Sequence, residues 1–477
     1  RRSSDLPVHP DTALALNNLA LLYVSTGAYA KADPLYARAR SIVEIALGPR
    51  HRNVATILNN TAALYRSMGQ YEIAEPLYIR ALDITEEALG PDHPETATTL
   101  NNLALLYHLT NENSKARPLY VRALAIREKT LGSEHPSTAT TLNNLAGLYG
   151  AMGDNAQAQL LFARALVVIE KALGPEHQAA ATSLNNLSVL MWATGDLEKA
   201  QPMLSRALQI TETNASRLLL TGSEQRRRQY LGTLSFDVDV TFSLADPTPA
   251  SRALGAAAVL QFKGRTLDAT ADSVARLRQN LDDKGRALLD ELTKVVAQRS
   301  KLSLDDPGST PIEVFGKRLD ELGAEQERLE AELSTRSTAF QQTIQPITLE
   351  RVQQAIPTAD VLIEWIRFTP FNPKGRSPQD RWGAARYAAY LITRDKSPLA
   401  VDLGEAAAIE RAVAHLQNVL RSPGSDPRPQ EARRLFELAV QPLLVPLRQL
   451  QPNPTRLLLS PDGALNLIPF AALLDEQ

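Results

Sequence analysis

Apolar residues recur at spacings of three and four through the first 218 residues, and the pattern itself repeats. From Thr96 to about His108, Leu100, Leu103, Ala104 and Tyr107 occupy the i, i+3, i+4, i+7 positions of one helical face. A polar break over 110–113 follows. A second periodic stretch then runs from about Ser114 to Leu131 through Ala116, Leu119, Tyr120, Ala123, Leu124 and Ile126. Histidines at 9, 51, 93, 135 and 177 are 42 residues apart at every step. The pairs Asn17-Asn18, Asn59-Asn60, Asn101-Asn102, Asn143-Asn144 and Asn185-Asn186 keep that step, as do Tyr23, Tyr65, Tyr107 and Tyr149, with Met191 in the fifth slot. Arg38, Arg80, Arg122, Arg164 and Arg206 form a third register. The periodicity predicts five helix pairs over residues 9–218. Gly48, Gly90, Gly132 and Gly174 suit the ends of the second helices, where a left-handed cap favours glycine. Pro10, Pro94 and Pro136 suit first turns, where a missing N–H costs nothing. One helix pair cannot bury both of its apolar faces, so the pairs must stack into a solenoid.

Past Leu218 the register is lost. Phe236, Val238, Val240, Phe242 and Leu244 alternate like a strand, while Tyr230, Leu234, Val238 and Phe242 fit a helix; after so long a helical array, helix is the expectation. Arg226-Arg227-Arg228 reads as a solvated face. Another helix is expected from about Ala250. Residues 282–304 and 312–341 then read as a helical hairpin broken at Asp305-Asp306-Pro307-Gly308. Phe315, Leu319, Leu322, Leu329 and Leu333 give one of its seams, and Leu288, Leu292, Val295 and Val296 the partner face. From about residue 347 strand runs appear at 361–366, 387–393, 399–403 and 455–459, with helices at 405–421 and 429–450 and a turn at Ser460-Pro461-Asp462-Gly463. The expected class is mainly α: a solenoid over 9–218, a helical connector over 219–346, and an incomplete α/β layer over 347–477.

Composition narrows the function. A chain of 477 residues accommodates roughly three domains. Its 51 Lys+Arg balance 53 Asp+Glu, so there is no overall field to attract nucleic acid. No run of about 18 apolar residues suggests a membrane span. Arg1-Arg2-Ser3-Ser4-Asp5 has no apolar stretch behind it, so no secretory signal is read there. The absence of an initiator Met suggests a fragment or processed product. There is no Cys, which excludes disulfides, thiolate metal sites and a Cys nucleophile within these residues and fits a cytoplasmic location. The five histidines lie in successive inter-repeat turns, too far apart to converge on one ion, so a structural role is expected and no metal. No phosphate-binding Gly-Lys-Ser/Thr loop, His-Glu-x-x-His helix or Gly-x-Ser-x-Gly elbow is present, and no cofactor is expected.

The repeated words resemble the tetratricopeptide family in the long-repeat form of kinesin light chains. They are Thr96-Ala97-Thr98-Thr99-Leu100-Asn101-Asn102-Leu103-Ala104-Leu105-Leu106-Tyr107, Tyr71-Glu72-Ile73-Ala74-Glu75-Pro76-Leu77-Tyr78 and Ala88-Leu89-Gly90-Pro91-Asp92-His93-Pro94. Departures are local: Asn111 replaces the glycine of Gly27, Gly69, Gly153 and Gly195, and Leu160 replaces the proline of Pro34 and Pro76. The resemblance implies a concave inner wall lined by the stripe Thr98, Asn101, Leu105 and His108 and its equivalents, among them Arg66 and Trp192. Mid-helix Asn is worse than Ala by roughly 0.5 kcal/mol, yet it recurs in all five repeats. Asn17, Asn59, Asn101, Asn143 and Asn185 are therefore expected to clamp the backbone of an extended peptide ligand. Arg66 and His108 would add charge recognition, and Trp192 an apolar anchor. The alternative is that the amides bond between neighbouring helices and only position the repeats, the role expected of the second Asn in each pair.

The C-terminal words resemble the start of a CHAT domain, the caspase-like, separase-related module often joined to tetratricopeptide arrays. They run from Leu458-Leu459-Ser460-Pro461-Asp462-Gly463 through Ala464-Leu465-Asn466-Leu467-Ile468-Pro469-Phe470-Ala471-Ala472-Leu473, supported by Asp402-Leu403-Gly404 and Gln441-Pro442-Leu443-Leu444. The family uses a His base and a Cys nucleophile downstream of this segment. Neither is here: His415 precedes the segment on an expected helix and reads as structural, so no catalytic residue is assigned. The resemblance implies the sensing and regulatory portion of a caspase-like protease acting on a protein substrate, its α/β layer completed by a C-terminal protease portion. The other reading is a non-enzymatic adaptor that binds peptide segments.

Overall fold

The computed structural model describes residues 9–25, 27–221, 239–243, 248–270, 278, 281–304, 312–337, 346–375, 380–421, 430–450, 453–468 and 470–473. They divide into a first body, Arg1–Ile210 with Arg217–Tyr230 and Val274–Gln341, and a second, Thr211–Ser216 with Leu231–Ser273 and Gln342–Gln477.

In the first body the 42-residue period becomes five helix pairs. The first helices are α1 (Pro10–Ser25), α3 (Arg52–Ser67), α5 (Pro94–Leu109), α7 (Pro136–Ala151) and α9 (Gln178–Ala193). The second helices are α2 (Tyr29–Leu47), α4 (Tyr71–Leu89), α6 (Asn113–Thr130), α8 (Asn155–Leu173) and α10 (Leu197–Thr221). Each repeating histidine is an N-cap acceptor: Nδ1 of His51, His93, His135 and His177 receives the backbone N–H two residues on, at 3.1–3.2 Å. Nδ1 of His9 receives that of Asp11 in the same way. The cap gives one orphan helical N–H a partner, as Ser or Asp does elsewhere. Gly48, Gly90 and Gly174 end second helices at φ of 92–98° but ψ of 154–159°, so this is not the left-handed helical cap the sequence suggested. It is the extended mirror region, open essentially to glycine alone. Asn111, at φ 62°, takes the positive-φ slot that glycines fill in the other repeats, so that turn is preserved.

The first body also holds the expected hairpin, α12 (Asp283–Leu304) and α13 (Ile312–Arg336), following α11 (Pro249–Thr270) of the second body. Phe315, Leu319, Leu322, Leu329 and Leu333 are buried, as are Leu288, Leu292 and Val296 on the facing helix. The breaker at 305–308 and the basic run at 226–228 lie outside the described residues. Of the ambiguous 224–244 stretch, residues 239–243 are helical and the rest lies outside the described residues.

The second body is built on a four-stranded mixed sheet in the order β3-β2-β1-β4. Its strands are β1 (Asp360–Phe368), β2 (Arg386–Ile392), β3 (Leu399–Glu405) and β4 (Arg456–Ser460). The first three form an antiparallel meander, while β4 lies parallel to β1. Val361, Ile363, Trp365, Tyr387, Ala389 and Leu391 face α15 (Ala406–Leu420), α16 (Gln430–Ala439) and α17 (Gln441–Arg448) in one core. Trp365 Nε1 donates to the Ala439 carbonyl at 3.1 Å. The opposite face meets helix 239–243, where Phe242 stacks on Phe368 with centroids 4.1 Å apart, and α11. Gly255 of α11 is needed there, because a Cβ would fall 2.1 Å from the Tyr390 hydroxyl. Burial on both faces explains why β1 and β2 are mostly apolar rather than alternating, although Glu364 and Arg367 interrupt β1. The short α14 (Leu349–Ala355), capped by the Thr348 hydroxyl, leads into β1.

One expected helix, 429–450, is two. Val440 leaves helical geometry (φ −120°, ψ −46°) and Pro442 opens α17. A proline there has no N–H to give and crowds the carbonyl four residues earlier, so the chain restarts rather than continues.

Candidate functional site

The first helix of each repeat carries the stripe at positions 14/17/21/24 and its equivalents, brought to one side by their spacing. The amides of this stripe are engaged between repeats. Nδ2 of Asn60 donates to Oδ1 of Asn17 at 3.0 Å, Asn102 to Asn59 at 3.1 Å, and Asn144 to Asn101 at 3.1 Å. Asn17 and Asn101 are buried, while Asn59, Asn143 and Asn185 are half-buried. Asn143 departs from the pattern: its Nδ2 donates to Ser183 Oγ at 2.9 Å. The first Asn of four pairs thus takes part in inter-repeat bonding, the alternative that the sequence reading left open for these amides. The reason is reach: a carboxamide on one first helix meets its neighbour one repeat on, and burial makes an unmade bond expensive.

Thr98 is also committed. Its hydroxyl donates to the Pro94 carbonyl at 3.2 Å and accepts from Arg127 Nη2 at 3.2 Å. Arg127 was not singled out from the sequence, yet it is a buried cation that also donates to the Ser137 carbonyl at 2.6 Å and Thr141 Oγ1 at 2.7 Å. Register comparison is the signal that reveals it, since Val43, Thr85, Ile169 and Thr211 fill the same slot.

Arg66, His108 and Trp192 are half-buried in the last turns of α3, α5 and α9, in one register 42 residues apart or multiples of it. His108 lies against α7, its Cε1 3.6 Å from where a Cβ on Gly147 would stand. The Nη1 of Arg66 is enclosed by protein and meets no acceptor among the described residues, as is true of the Tyr78 and Tyr120 hydroxyls. Desolvation pushes the Tyr78 phenol up to about 12, with the Arg66 charge pulling the other way. Packing does not require those hydroxyls, because Phe162 and Leu204 occupy the same slot in the next two repeats and are equally buried.

These groups donate hydrogen bonds and offer apolar surface, so the stripe can bind a polypeptide. It holds no nucleophile paired with a base. Among the described residues no three His, Asp or Glu side chains could hold a metal ion, and no helix is long and apolar enough to cross a membrane. His415 is exposed on α15.

Comparison with known families agrees with the repeat architecture. Residues 11–86, 54–129, 114–166 and 137–213 match the Tetratricopeptide repeat family. BtubC (BKLC) from P. vanneervenii is 26% identical, with 42% of this chain and 80% of that one covered at a TM-score of 0.38. A Podosopora anserina protein described as a kinesin light chain with nearly identical TPR-like repeats is 27% identical, with 42% and 96% covered at 0.37. PilF of Pseudomonas aeruginosa is 17% identical, with 56% and 97% covered at 0.35. No curated protein matches the chain. Residues 11–213 are a run of tetratricopeptide repeats, which implies a protein-interaction or scaffold role.

Proposed function

We propose that this chain is the partner-binding and regulatory portion of a caspase-like protease of the tetratricopeptide–CHAT kind. The repeats receive an extended polypeptide along the stripe of Arg66, His108, Trp192 and the amide nitrogens. The second body accepts a further strand from a catalytic portion that carries the His and Cys.

One observation supports the second half above all. β4 is an edge strand, yet Leu457, Leu458 and Leu459 are 47, 38 and 42% exposed. Their partners in register, Val361, Leu362 and Ile363, alternate between the two faces of the sheet, so β4 shows apolar side chains on both. Soluble edge strands are ordinarily blunted by charge or proline, and an unbroken apolar triplet is the mark of an interior strand.

The test is co-expression of this chain with whatever its gene encodes after Gln477. A complex that survives gel filtration, protects β4 amides from exchange and is lost on Leu458→Asp supports the reading. A coding sequence with no strand followed by His and then Cys, or two products that elute separately, overturns it in favour of the adaptor. That second reading draws on the repeats alone, together with the absence of Cys from these residues.

A further inference from the structure

One interface joins the five repeats, and it is used four times. The second helix of each repeat packs on the first helix of the next: Ala39 and Ile42 of α2 share a core with Val54, Ile57 and Leu58 of α3. A charge pair crosses at the same register each time, Glu44–Arg80 at 2.8 Å, then Glu86–Arg122, Glu128–Arg164 and Glu170–Arg206 at 2.6 Å. The Asn-to-Asn bridge crosses at a second register.

On α1 the receiving half of this interface is present without its complement. Thr12, Ala15, Leu19 and Leu22 share one helical face. Leu22 is 52% exposed, whereas its equivalents Leu64, Leu106, Leu148 and Leu190 are 0–6% exposed. Leu19 is 40% exposed, against 3–8% for Thr61, Leu103, Leu145 and Leu187. Asn18, the counterpart of the donors Asn60, Asn102 and Asn144, is exposed. Arg38 holds the register of Arg80, and one period before Glu44 stands Arg2, so the matching carboxylate is not in this sequence.

We propose that this face of α1 receives a further helix pair of the same 42-residue kind, stacked in the register that joins the five. The outer face of a terminal solenoid repeat is polar where it meets water. The face on α1 instead carries the residue types of an interior helix. Charge decides what fits. A second copy docked face to face would offer the same patch, with Arg38 where a carboxylate is needed. A preceding repeat offers Glu at the register of Glu44, Asn at that of Asn17 and an apolar residue at that of Ile42.

The test inserts a copy of residues 51–92 between Val8 and His9 of the full chain, which sets the copied Glu86 against Arg38 and the copied Asn59 against Asn18. The melting temperature is expected to rise by about 3 °C or more, and exchange of α1 amides to slow. Leu19→Glu with Leu22→Glu should abolish the gain in the extended chain yet shift the original chain by no more than about 1 °C. An insertion that changes neither melting nor α1 exchange overturns the proposal. So does an original chain that sediments as a dimer and is split by the same two substitutions, which would assign the face to a second copy.

Discussion

The side-chain amide of Asn102 donates to the carboxamide oxygen of Asn59, 43 residues earlier and 3.1 Å away. The same bond joins Asn60 to Asn17 and Asn144 to Asn101, so at three of the four repeat interfaces a residue unfavourable to helix ties one repeat to the next.

Asn101→Ala therefore tests two opposed effects. Helix propensity alone would raise stability by roughly 0.5 kcal/mol. Stranding the Asn144 donor costs about 1–3 kcal/mol. Net destabilisation is expected in urea unfolding of the full chain. An unchanged midpoint would mean that the bridge contributes nothing to stacking.

The histidine caps make a second prediction. His93→Ala removes the acceptor for the Glu95 N–H and should cost about 1 kcal/mol, while His93→Asn, whose side chain can cap, should recover most of it. Thermal melts of the three proteins compare them directly, and an Asn variant no better than the Ala variant would deny the cap its role.

In the second body Lys263 Nζ of α11 is enclosed by the Glu364 carboxylate, the Trp365 carbonyl at 3.1 Å and the Ser460 carbonyl at 2.7 Å. Ser460 Oγ donates to the same carboxylate at 2.7 Å. Burial pushes the Glu364 carboxyl up, and Lys263 opposes that shift. Lys263→Met should therefore destabilise by about 3–5 kcal/mol, because it leaves a buried carboxylate uncompensated. Lys263→Met with Glu364→Gln should cost clearly less. Equal losses in the single and double variants would show that the pair is not coupled.

Asp239 gives a pH dependence of definite sign. Burial pushes its carboxyl up to about 6, against the lowering effects of the Thr369 N–H and the Arg367 charge. A folded value above the unfolded one means that its contribution is full below pH of about 4 and is lost as pH rises through about 6. Asp239→Asn should thus melt higher than the parent at pH 8 and close to it at pH 4. The same difference at both pH values would remove Asp239 as the cause.

Much of this was legible because a repeat states its rules five times. Spacing alone located the helix pairs, and the histidine and glycine registers marked where helices begin and end. The caps themselves were not legible: an imidazole accepting a backbone N–H, and a glycine at extended ψ, depend on local dihedral geometry. In the C-terminal part, strand runs were readable from apolar continuity. The restart at Val440 was not foreseen, although Pro442 signalled it.

The sequence by itself determined the period, the two-helix repeat and the strands of the second body, since these follow from the spacing of apolar residues along one chain. Only the tertiary structure decided that the stripe asparagines bridge repeats, that Arg127 is buried, that β4 lies parallel beside β1 and that one face of α1 is bare. Each of those depends on which residues of different helices or strands meet, and such meetings are set by packing rather than by local pattern.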